Sequence, residues 1–166
     1  MCNLSPARIC PVSFIIAPYP VAVLLFKMRI LAVDVGDKRI GTALSDETGT
    51  IAQGLEVLLS TGSMKGDAGA IAGLVRRSNA SLVVVGLPKN LDGSLGVRAQ
   101  KVVALAEAIG EAAGVPVELW DERFSTNEAR RILDMASVKR KKRKSAIDVM
   151  AAQIILQGYL DAKGRT

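Results

Sequence analysis

The segment "SLVVVGLP", residues 81 to 88, is the feature that most restricts how this chain can fold. A short, continuous run of β-branched residues is typical of a strand that is buried on both faces. Such a strand needs other elements to cover both sides of its sheet. Apolar residues at helical spacing precede the run at 67 to 78 and follow it from about 95 to 113, and Gly114 ends the second pattern. The sequence therefore predicts an α/β domain.

The remaining pattern indicates a mixed sheet. Residues 29 to 35 form one predicted strand, "GDK" turns the chain, and "RIGTALSD" returns as a second strand. Two further strands and two further helices are predicted: strands around 54 to 59 and at 115 to 120, and helices at 125 to 135 and 145 to 161. Three antiparallel strands followed by parallel strands and helices make a five-stranded sheet of the ribonuclease H-like type. The pattern alone also allows a flavodoxin-like sheet.

The chain divides at Met28 into a head and a body. Residues 1 to 27 are apolar but are interrupted by Pro18 and Pro20, and no small-residue cleavage site follows, which argues against a secretory signal. The stretch is also too short and too broken to span a bilayer. We therefore expect residues 1–27 to be an N-terminal extension outside the fold, and residues 28–162 to form a single domain.

The absence of histidine excludes several classes of chemistry. With no His in 166 residues, the chain has neither a histidine-activated nucleophile nor a histidine zinc site. Its two cysteines, Cys2 and Cys10, form no metal-binding spacing and no disulfide framework. Because nothing in the sequence requires an oxidising compartment, we expect a cytoplasmic protein.

Several carboxylates occupy positions where an ionised side chain is costly. Asp34 lies inside the apolar run of the first strand, and Asp121 and Glu122 follow the strand at 117 to 120. The carboxyl ends of strands are where open α/β sheets place their sites. Asp148 lies on the apolar face of the last predicted helix. If these carboxylates converge, their oxygens suit Mg²⁺ or Mn²⁺ and the hydrolysis of phosphodiester bonds.

Each of these carboxylates also has a simpler explanation that involves no metal. The alternatives are a turn cap for Asp34, a surface position for Glu122, a salt bridge to Arg123 for Asp121, and an ion pair with Lys144 for Asp148. Taken one at a time, these carboxylates are weak indicators of a site. Their coincidence with a strongly basic segment strengthens them.

The basic segment "KRKKRK", residues 139 to 144, accounts for the net positive charge of the chain. The sequence has 22 Lys and Arg against 16 Asp and Glu, and the residues of this run make up the whole difference. Such a block indicates binding to a polyanion, with a solvated loop as the alternative. We expect nucleic-acid contacts from the run and from three other cations: Lys38, Arg39, Lys89, Lys139, Arg140, Lys141, Lys142, Arg143 and Lys144.

One of these cations, Lys89, lies in the loop "GLPKNLDGS", residues 86 to 94. The amides of this loop are further candidates for phosphate binding, and a plain connecting loop is the alternative. The aromatic residues Trp120, Phe124 and Tyr159 are scattered and provide no stacking platform. We therefore expect recognition of the nucleic-acid backbone or shape rather than of bases.

Four motifs resemble, in order and spacing, those of the YqgF/RuvX family: "DVGDKRIGTALSD", "VVGLPKNLDGS", "WDERFSTNEA" and "AIDVMAAQIILQGYL". The resemblance covers about Met28 to Leu160. Members of this family are small bacterial proteins described as pre-16S rRNA nucleases and as Holliday-junction-resolvase-like proteins. The resemblance implies a ribonuclease H-like fold and divalent-metal-dependent processing of the 5′ end of precursor 16S rRNA.

The resemblance also implies roles for individual residues. Asp34, Glu122 and Asp148 match the carboxylates that are expected to be catalytic and to hold the metal. Asp121 and Arg123 belong to the same motif as Glu122, and we expect them to support it. The first 27 residues have no counterpart in the family.

Three other functions remain open at this point. A Holliday-junction resolvase would cut branched DNA as a dimer, and the sequence shows no evident dimer interface, so RNA is the preferred substrate. A non-catalytic RNA-binding factor would have the same nuclease fold and bind RNA but would not cleave it. An actin-like or sugar-kinase ATPase shares a "DVGDKRIG" type of hairpin, but it clamps nucleotide between two such domains and this body supplies one. The sequence does not decide whether the protein is a monomer or a homodimer. Ribosomal particles are a further candidate partner. We expect no membrane association.

Overall fold

A computed structural model describes residues 29–90, 92–121 and 140–164, with the backbone alone for residues 140–145. The elements in chain order are β1 (Arg29–Val35), β2 (Arg39–Ser45), β3 (Ala52–Leu59), α1 (Met64–Ser78), β4 (Ala80–Leu87), α2 (Val97–Ala113), β5 (Val117–Asp121) and α3 (Arg140–Lys163). All five strands predicted from the sequence are present. The helix predicted at 125–135 lies outside the described residues.

The strands form one mixed sheet in the order β3–β2–β1–β4–β5. Strand β2 pairs antiparallel with β1 and β3, whereas β4 pairs parallel with β1 and β5. A short turn suffices between antiparallel neighbours, while α2 provides the longer crossover that the parallel strands β4 and β5 require. The predicted fold class is confirmed, and the antiparallel strands at the start of the sheet exclude the flavodoxin-like alternative.

One face of the sheet is covered by α1 and α2. Alternate residues of β1 and β4 point to this side and are fully buried there: Leu31, Val33, Val83 and Val85. Ile71 of α1 and Ile109 of α2 belong to the same core. Val84, between two of these residues, is fully buried on the opposite face. Strand β4 is therefore buried on both faces, as its sequence predicts.

The opposite face of the sheet packs against α3. The residues that line the sheet here are mostly small: Ala32, Ala43, Ala52 and Val84. Helix α3 places its larger apolar side chains on them: Ile155, Leu156, Tyr159 and Leu160, together with Ala152. Because alanine side chains occupy little space, the helix backbone can approach the sheet closely. This close approach positions the candidate site.

Two boundaries near the candidate site differ from the prediction. Helix α3 is described from Arg140 rather than from 145, so the backbone of the basic run from Arg140 to Lys144 is helical and is not a loop. Strand β5 includes Asp121, which pairs with Leu87 of β4, one residue beyond the predicted strand.

Candidate active site

Asp34 is the last residue but one of β1, on the side of the strand that faces α3. Side chains alternate along a strand, so Asp34 points to the same face as the buried Ala32. Burial raises the pKa of Asp34 above its ordinary value. The charge of Arg98 lowers this pKa, and the charge of Asp148 raises it further. The half-buried carboxylate therefore lies near both a cation and a second carboxylate.

A glycine allows Asp148 to come close to Asp34. Asp34 is the partner of Gly41 in the β1–β2 ladder. A Cβ atom on Gly41 would overlap the carbonyl oxygen of Asp148 and would lie 2.5 Å from its carbonyl carbon. The backbone of α3 thus rests directly on Gly41, where no other residue fits. The fold in this way brings together two predicted carboxylates, one from the first strand and one from the last helix.

Asp148 forms an ion pair with Arg39 of β2. The Arg39 Nε atom donates to Asp148 Oδ2 at 2.5 Å, although the two residues are 109 positions apart. Arg39 and Gly41 point to the same side of β2 because they are two residues apart. The alternative partner predicted for Asp148 was Lys144, whose side chain lies outside the described residues. The described partner, Arg39, lies on β2, whereas the predicted partner lies on the same helix as Asp148.

Asp121 and Lys89 form a second ion pair, at the ends of neighbouring strands. Asp121 ends β5 and Lys89 follows the end of β4, and Lys89 Nζ lies 3.3 Å from Asp121 Oδ2. The Asp121 side chain is only 12% exposed, so an adjacent cation offsets part of the cost of its burial. Arg123, the partner predicted from the sequence, lies outside the described residues.

The loop that follows β4 uses several of its own amides. The amide of Asn90 donates to the Ser94 carbonyl oxygen at 3.0 Å, and the amide of Gly93 donates to the Asn90 carbonyl oxygen at 2.9 Å. The amide of Ser94 donates to the Asp92 carboxylate at 2.9 Å. The prediction that this loop offers its amides to phosphate is therefore wrong for these three residues. Lys89 keeps its place as a candidate contact.

Arg98 belongs to the site, and the sequence did not single it out. It lies in the first turn of α2, where its Nη2 atom donates to the Val35 carbonyl oxygen at 3.1 Å. From this position its charge lowers the pKa of Asp34. The position of Arg98 in the helical pattern of the sequence does not distinguish it from other exposed arginines such as Arg76. Its position just after the candidate phosphate loop was the one available signal.

Several predicted site residues lie outside the described part of the chain. These are Glu122, Arg123 and Lys139, and the side chains of Arg140, Lys141, Lys142, Arg143 and Lys144. Lys38 is described, and it is exposed in the turn between β1 and β2. Within the described ranges there is no group of three or more residues placed to hold a metal ion. Of the predicted triad, Asp34 and Asp148 are therefore the two members whose convergence can be seen.

The converging carboxylates fit a hard divalent cation. Burial raises the pKa of Asp34, the charge of Arg98 lowers it and the charge of Asp148 raises it, and the net result is a raised pKa that disfavours the ionised form even with Arg98 nearby. A divalent cation bound to them would relieve this penalty, and carboxylate oxygens are ligands that Mg²⁺ and Mn²⁺ accept. Glu122 follows directly on the last residue of β5 and would be the third ligand.

A model of the family described as "RuvX: Holliday junction resolvase" matches residues 28–162. The chain belongs to the RuvX family. Two relatives are named "Putative pre-16S rRNA nuclease". The relative from Pelotomaculum thermopropionicum is 47% identical over 138 residues, which is 83% of this chain and 90% of the relative. The relative from Bacillus cereus (strain G9842) is 49% identical over 138 residues, which is 82% of this chain and 100% of the relative.

A solved structure supports the fold of this RuvX chain. The RuvC structure from Thermus thermophilus aligns with a TM-score of 0.51 and 16% identity, over 82% of this chain and 97% of that one. The ribonuclease H-like fold is thereby confirmed. Membership of the RuvX family makes the chain a nuclease, a hydrolase of ester bonds whose partner is nucleic acid. None of the helices in the described part of the chain combines the length and hydrophobicity that crossing a bilayer requires.

Proposed function

We propose that this chain is a metal-dependent nuclease that processes the 5′ end of precursor 16S rRNA in ribosome biogenesis. The observation that carries the proposal is the convergence of Asp34 and Asp148 at the carboxyl end of β1. The shared name of relatives that are 47% and 49% identical supports RNA as the substrate. The reaction is hydrolysis of a phosphodiester bond.

We assign Asp34, Asp148 and Glu122 as the catalytic residues and as ligands of Mg²⁺ or Mn²⁺. When bound, the ion stabilises negative charge on the phosphate and lowers the pKa of water. The chain itself holds the metal-binding side chains in place before the metal and the substrate bind. Strand β1 fixes Asp34, and the contact of α3 with Gly41 fixes the backbone of Asp148.

The end of β5 has a supporting role in this proposal. The ion pair of Asp121 with Lys89 ties the last residue of β5 to the chain that leaves β4. Glu122 is the next residue, so this ion pair restrains the point from which Glu122 projects. We therefore assign Asp121 as a supporting residue, and Arg123 with it on the resemblance of its motif.

The cations around the acidic pair would bind the nucleic-acid backbone. The basic run begins the same helix that carries Asp148, and Lys144 precedes Asp148 by one turn, about 6 Å along the helix axis. A phosphate bound by the run would therefore lie near the carboxylates. The proposed contacts are Lys38, Arg39, Lys89 and the run from Lys139 to Lys144. Contacts to phosphate position the substrate without reading its sequence.

We place the reaction in the cytoplasm, with free precursor rRNA or a ribosomal particle as the form of the substrate. The working unit is a monomer or a homodimer. The catalytic domain is residues 28–162, and residues 1–27 stand outside it.

The test is to incubate the protein with precursor 16S rRNA and with a four-way DNA junction in Mg²⁺, Mn²⁺ or EDTA. We expect the 5′ end of the RNA to be shortened with either metal, no reaction in EDTA, and an intact junction. Two isosteric variants serve as a matched pair. Asp34→Asn should lose cleavage, whereas Asp161→Asn, at the exposed far end of α3, should retain it. Intact RNA that remains bound to the protein under every condition would favour an RNA-binding factor instead.

The description of the family favours one second candidate, the resolution of Holliday junctions. This function predicts metal-dependent paired cuts in the junction. Symmetric cuts need two active sites, so it also predicts a dimer on the junction. Junction cleavage together with a protein dimer in sedimentation analysis would replace the RNA proposal.

A further inference from the structure

The ion pair of Arg39 and Asp148 joins two residues for which we proposed other partners. Asp148 is a proposed metal ligand and Arg39 a proposed phosphate contact, yet Arg39 Nε lies 2.5 Å from Asp148 Oδ2. A guanidinium on this oxygen uses one of the lone pairs that a metal ion could otherwise use. Arg39 and a metal ion would therefore compete for Asp148 Oδ2.

Exposure and geometry both favour exchange. The Arg39 and Asp148 side chains are 35% and 23% exposed, so the ion pair is accessible to ions and to nucleic acid. The described hydrogen bond is a single contact from Nε, whereas the strongest arginine–carboxylate pairs use two parallel bonds. The Gly36 amide donates to the Arg39 carbonyl oxygen at 3.0 Å. The backbone of Arg39 is thus held in the turn, and the long side chain is the part that can move.

The charges favour exchange as well. Asp34 is the partner of Gly41 in the β1–β2 ladder, and the backbone of Asp148 rests on Gly41, so the fold brings two carboxylates to one place. The described ion pair of Arg39 engages Asp148, so the repulsion between the two carboxylates is relieved only in part. A divalent cation shared by the two carboxylates would relieve this repulsion more fully than Arg39 does.

We propose that Arg39 is a positioning residue that holds Asp148 until a divalent cation displaces it, and that the released guanidinium then binds a phosphate of the nucleic acid. The proposal rests on the metal site of the proposed function. It couples metal binding to substrate binding, because the metal ion releases the Arg39 guanidinium to contact the nucleic acid. In the absence of metal, the same cation keeps Asp148 oriented toward the site.

The first test measures metal affinity without nucleic acid, by calorimetric titration of Mn²⁺ into the full-length protein. Arg39→Gln should bind Mn²⁺ about threefold to tenfold more tightly than wild type, because no side chain then competes for Asp148. The matched control is Arg77→Gln. Arg77 forms an exposed ion pair with Glu56 at 3.0 Å and lies on α1, on the other face of the sheet. Its substitution should leave the affinity unchanged.

The outcomes of this titration separate the two proposals. Equal or weaker Mn²⁺ binding by Arg39→Gln would overturn the exchange and make Arg39 a permanent brace of Asp148, with the metal site intact. If wild type and both variants fail to bind Mn²⁺, the metal site of the proposed function is refuted, and this inference with it.

A second measurement uses the wild-type protein and does not depend on how the variant folds. The Arg39 Nε–H resonance in ¹⁵N spectra is assigned by its loss in Arg39→Lys. Saturating Mg²⁺ should shift this resonance and speed its exchange with water. A resonance that stays unchanged while the metal binds would overturn the proposal.

The phosphate contact has its own test, the binding of short RNA with a non-hydrolysable backbone. Arg39→Gln should weaken this binding several-fold in Mg²⁺ and leave it unchanged in EDTA, where the guanidinium is engaged with Asp148. An equal weakening in both conditions would show that Arg39 contacts phosphate without being exchanged, which contradicts the proposal.

Discussion

Asp34 is a costly residue at its position, because it is an ionisable side chain on a strand whose three preceding residues are fully buried. Its pKa is raised first by burial, against the opposing charge of Arg98, and then by Asp148. A neutral residue of the same shape would avoid this cost. The position therefore makes physical sense when the carboxylate has a function that needs its charge.

Asp34→Asn tests this role directly. Cleavage should fall at least about a hundredfold, since metal-assisted stabilisation of the transition state is worth several kcal/mol. RNA binding should be kept or become slightly stronger because a negative charge is removed. In EDTA the variant should be at least as stable as wild type, because the amide is not repelled by Asp148. Single-turnover rates and thermal unfolding in EDTA measure these effects, and cleavage at the wild-type rate would refute the assignment.

Asp46 gives a pH prediction that is separate from the site. Its carboxylate accepts hydrogen bonds from the amides of Ile51, Thr50 and Thr48, which hold its pKa well below the ordinary 3.8. The ionised form therefore stabilises the turn between β2 and β3. This contribution is present above the pKa of the unfolded chain and is lost as the pH falls through the lower pKa of the folded state.

We expect Asp46→Asn to melt at a lower temperature than wild type at pH 7. The difference should narrow as the pH falls below 3.8, where Asp46 of the unfolded chain takes up a proton that the folded protein binds only at lower pH. Thermal unfolding at several pH values measures this. A difference that does not change with pH would contradict the role of the charge.

At the scale of elements, the packing of α3 on β2 determines whether the site forms. Gly41→Ala would place a methyl group 2.5 Å from the Asp148 carbonyl carbon, so α3 would have to move away from the sheet. We expect a decrease of about 1–3 kcal/mol in unfolding free energy, together with weaker metal binding. The matched control is Gly69→Ala on α1, where the new Cβ meets nothing within 4 Å. The control should stabilise the protein by up to about 1 kcal/mol.

Denaturant unfolding and Mn²⁺ titration of these two glycine variants provide the comparison. Wild-type metal affinity in Gly41→Ala would show that the close approach of α3 does not position the carboxylates.

The basic run is an element with opposing effects on stability and binding. Like charges one turn apart on a helix repel one another, so Arg140 to Lys144 destabilise the helix that carries them. Replacement of Lys139 to Lys144 by Gln should therefore preserve helix content or increase it. The same change should weaken RNA binding and reduce its salt dependence by about 0.7 in log–log slope for each phosphate that is no longer neutralised.

Circular dichroism and binding titrations across a range of salt concentrations measure both effects of the glutamine replacement. Unchanged RNA affinity and slope would remove the run from the proposed interface.

These elements also show which parts of the structure the sequence could reveal. The runs at 29 to 35 and 81 to 88 identified their strands because burial dictates their apolar pattern. The start of α3 was missed because adjacent like charges are typical of loops, and the packing that extends the helix is tertiary. The sequence singled out Asp34, Asp121 and Asp148, but it did not identify the residues that contact them. The sequence suggested neighbours such as Lys144 and Arg123, whereas the described partners of Asp148 and Asp121 come from other elements.

For the whole molecule, the described elements begin at Arg29 and the family match begins at 28. We expect the chain that starts at Met28 to keep the melting temperature, the Mn²⁺ affinity and the cleavage rate of the full chain. Thermal unfolding and titration of the two forms side by side test this. A large drop in melting temperature without residues 1–27 would show that they pack on the domain.

The order of the elements along the chain affects how the protein is made. Helix α3 is the last element, and Asp148 joins residues that come from β1 and β2, the first two. A nascent polypeptide that has emerged only as far as β5 already contains Asp34 but has neither the second carboxylate nor the helix that shields this face of the sheet. If Asp148 acts as proposed, competence for cleavage arises only once α3 has been synthesised. We expect a nascent copy that lacks α3 to be unable to attack the RNA of the ribosome that is synthesising it.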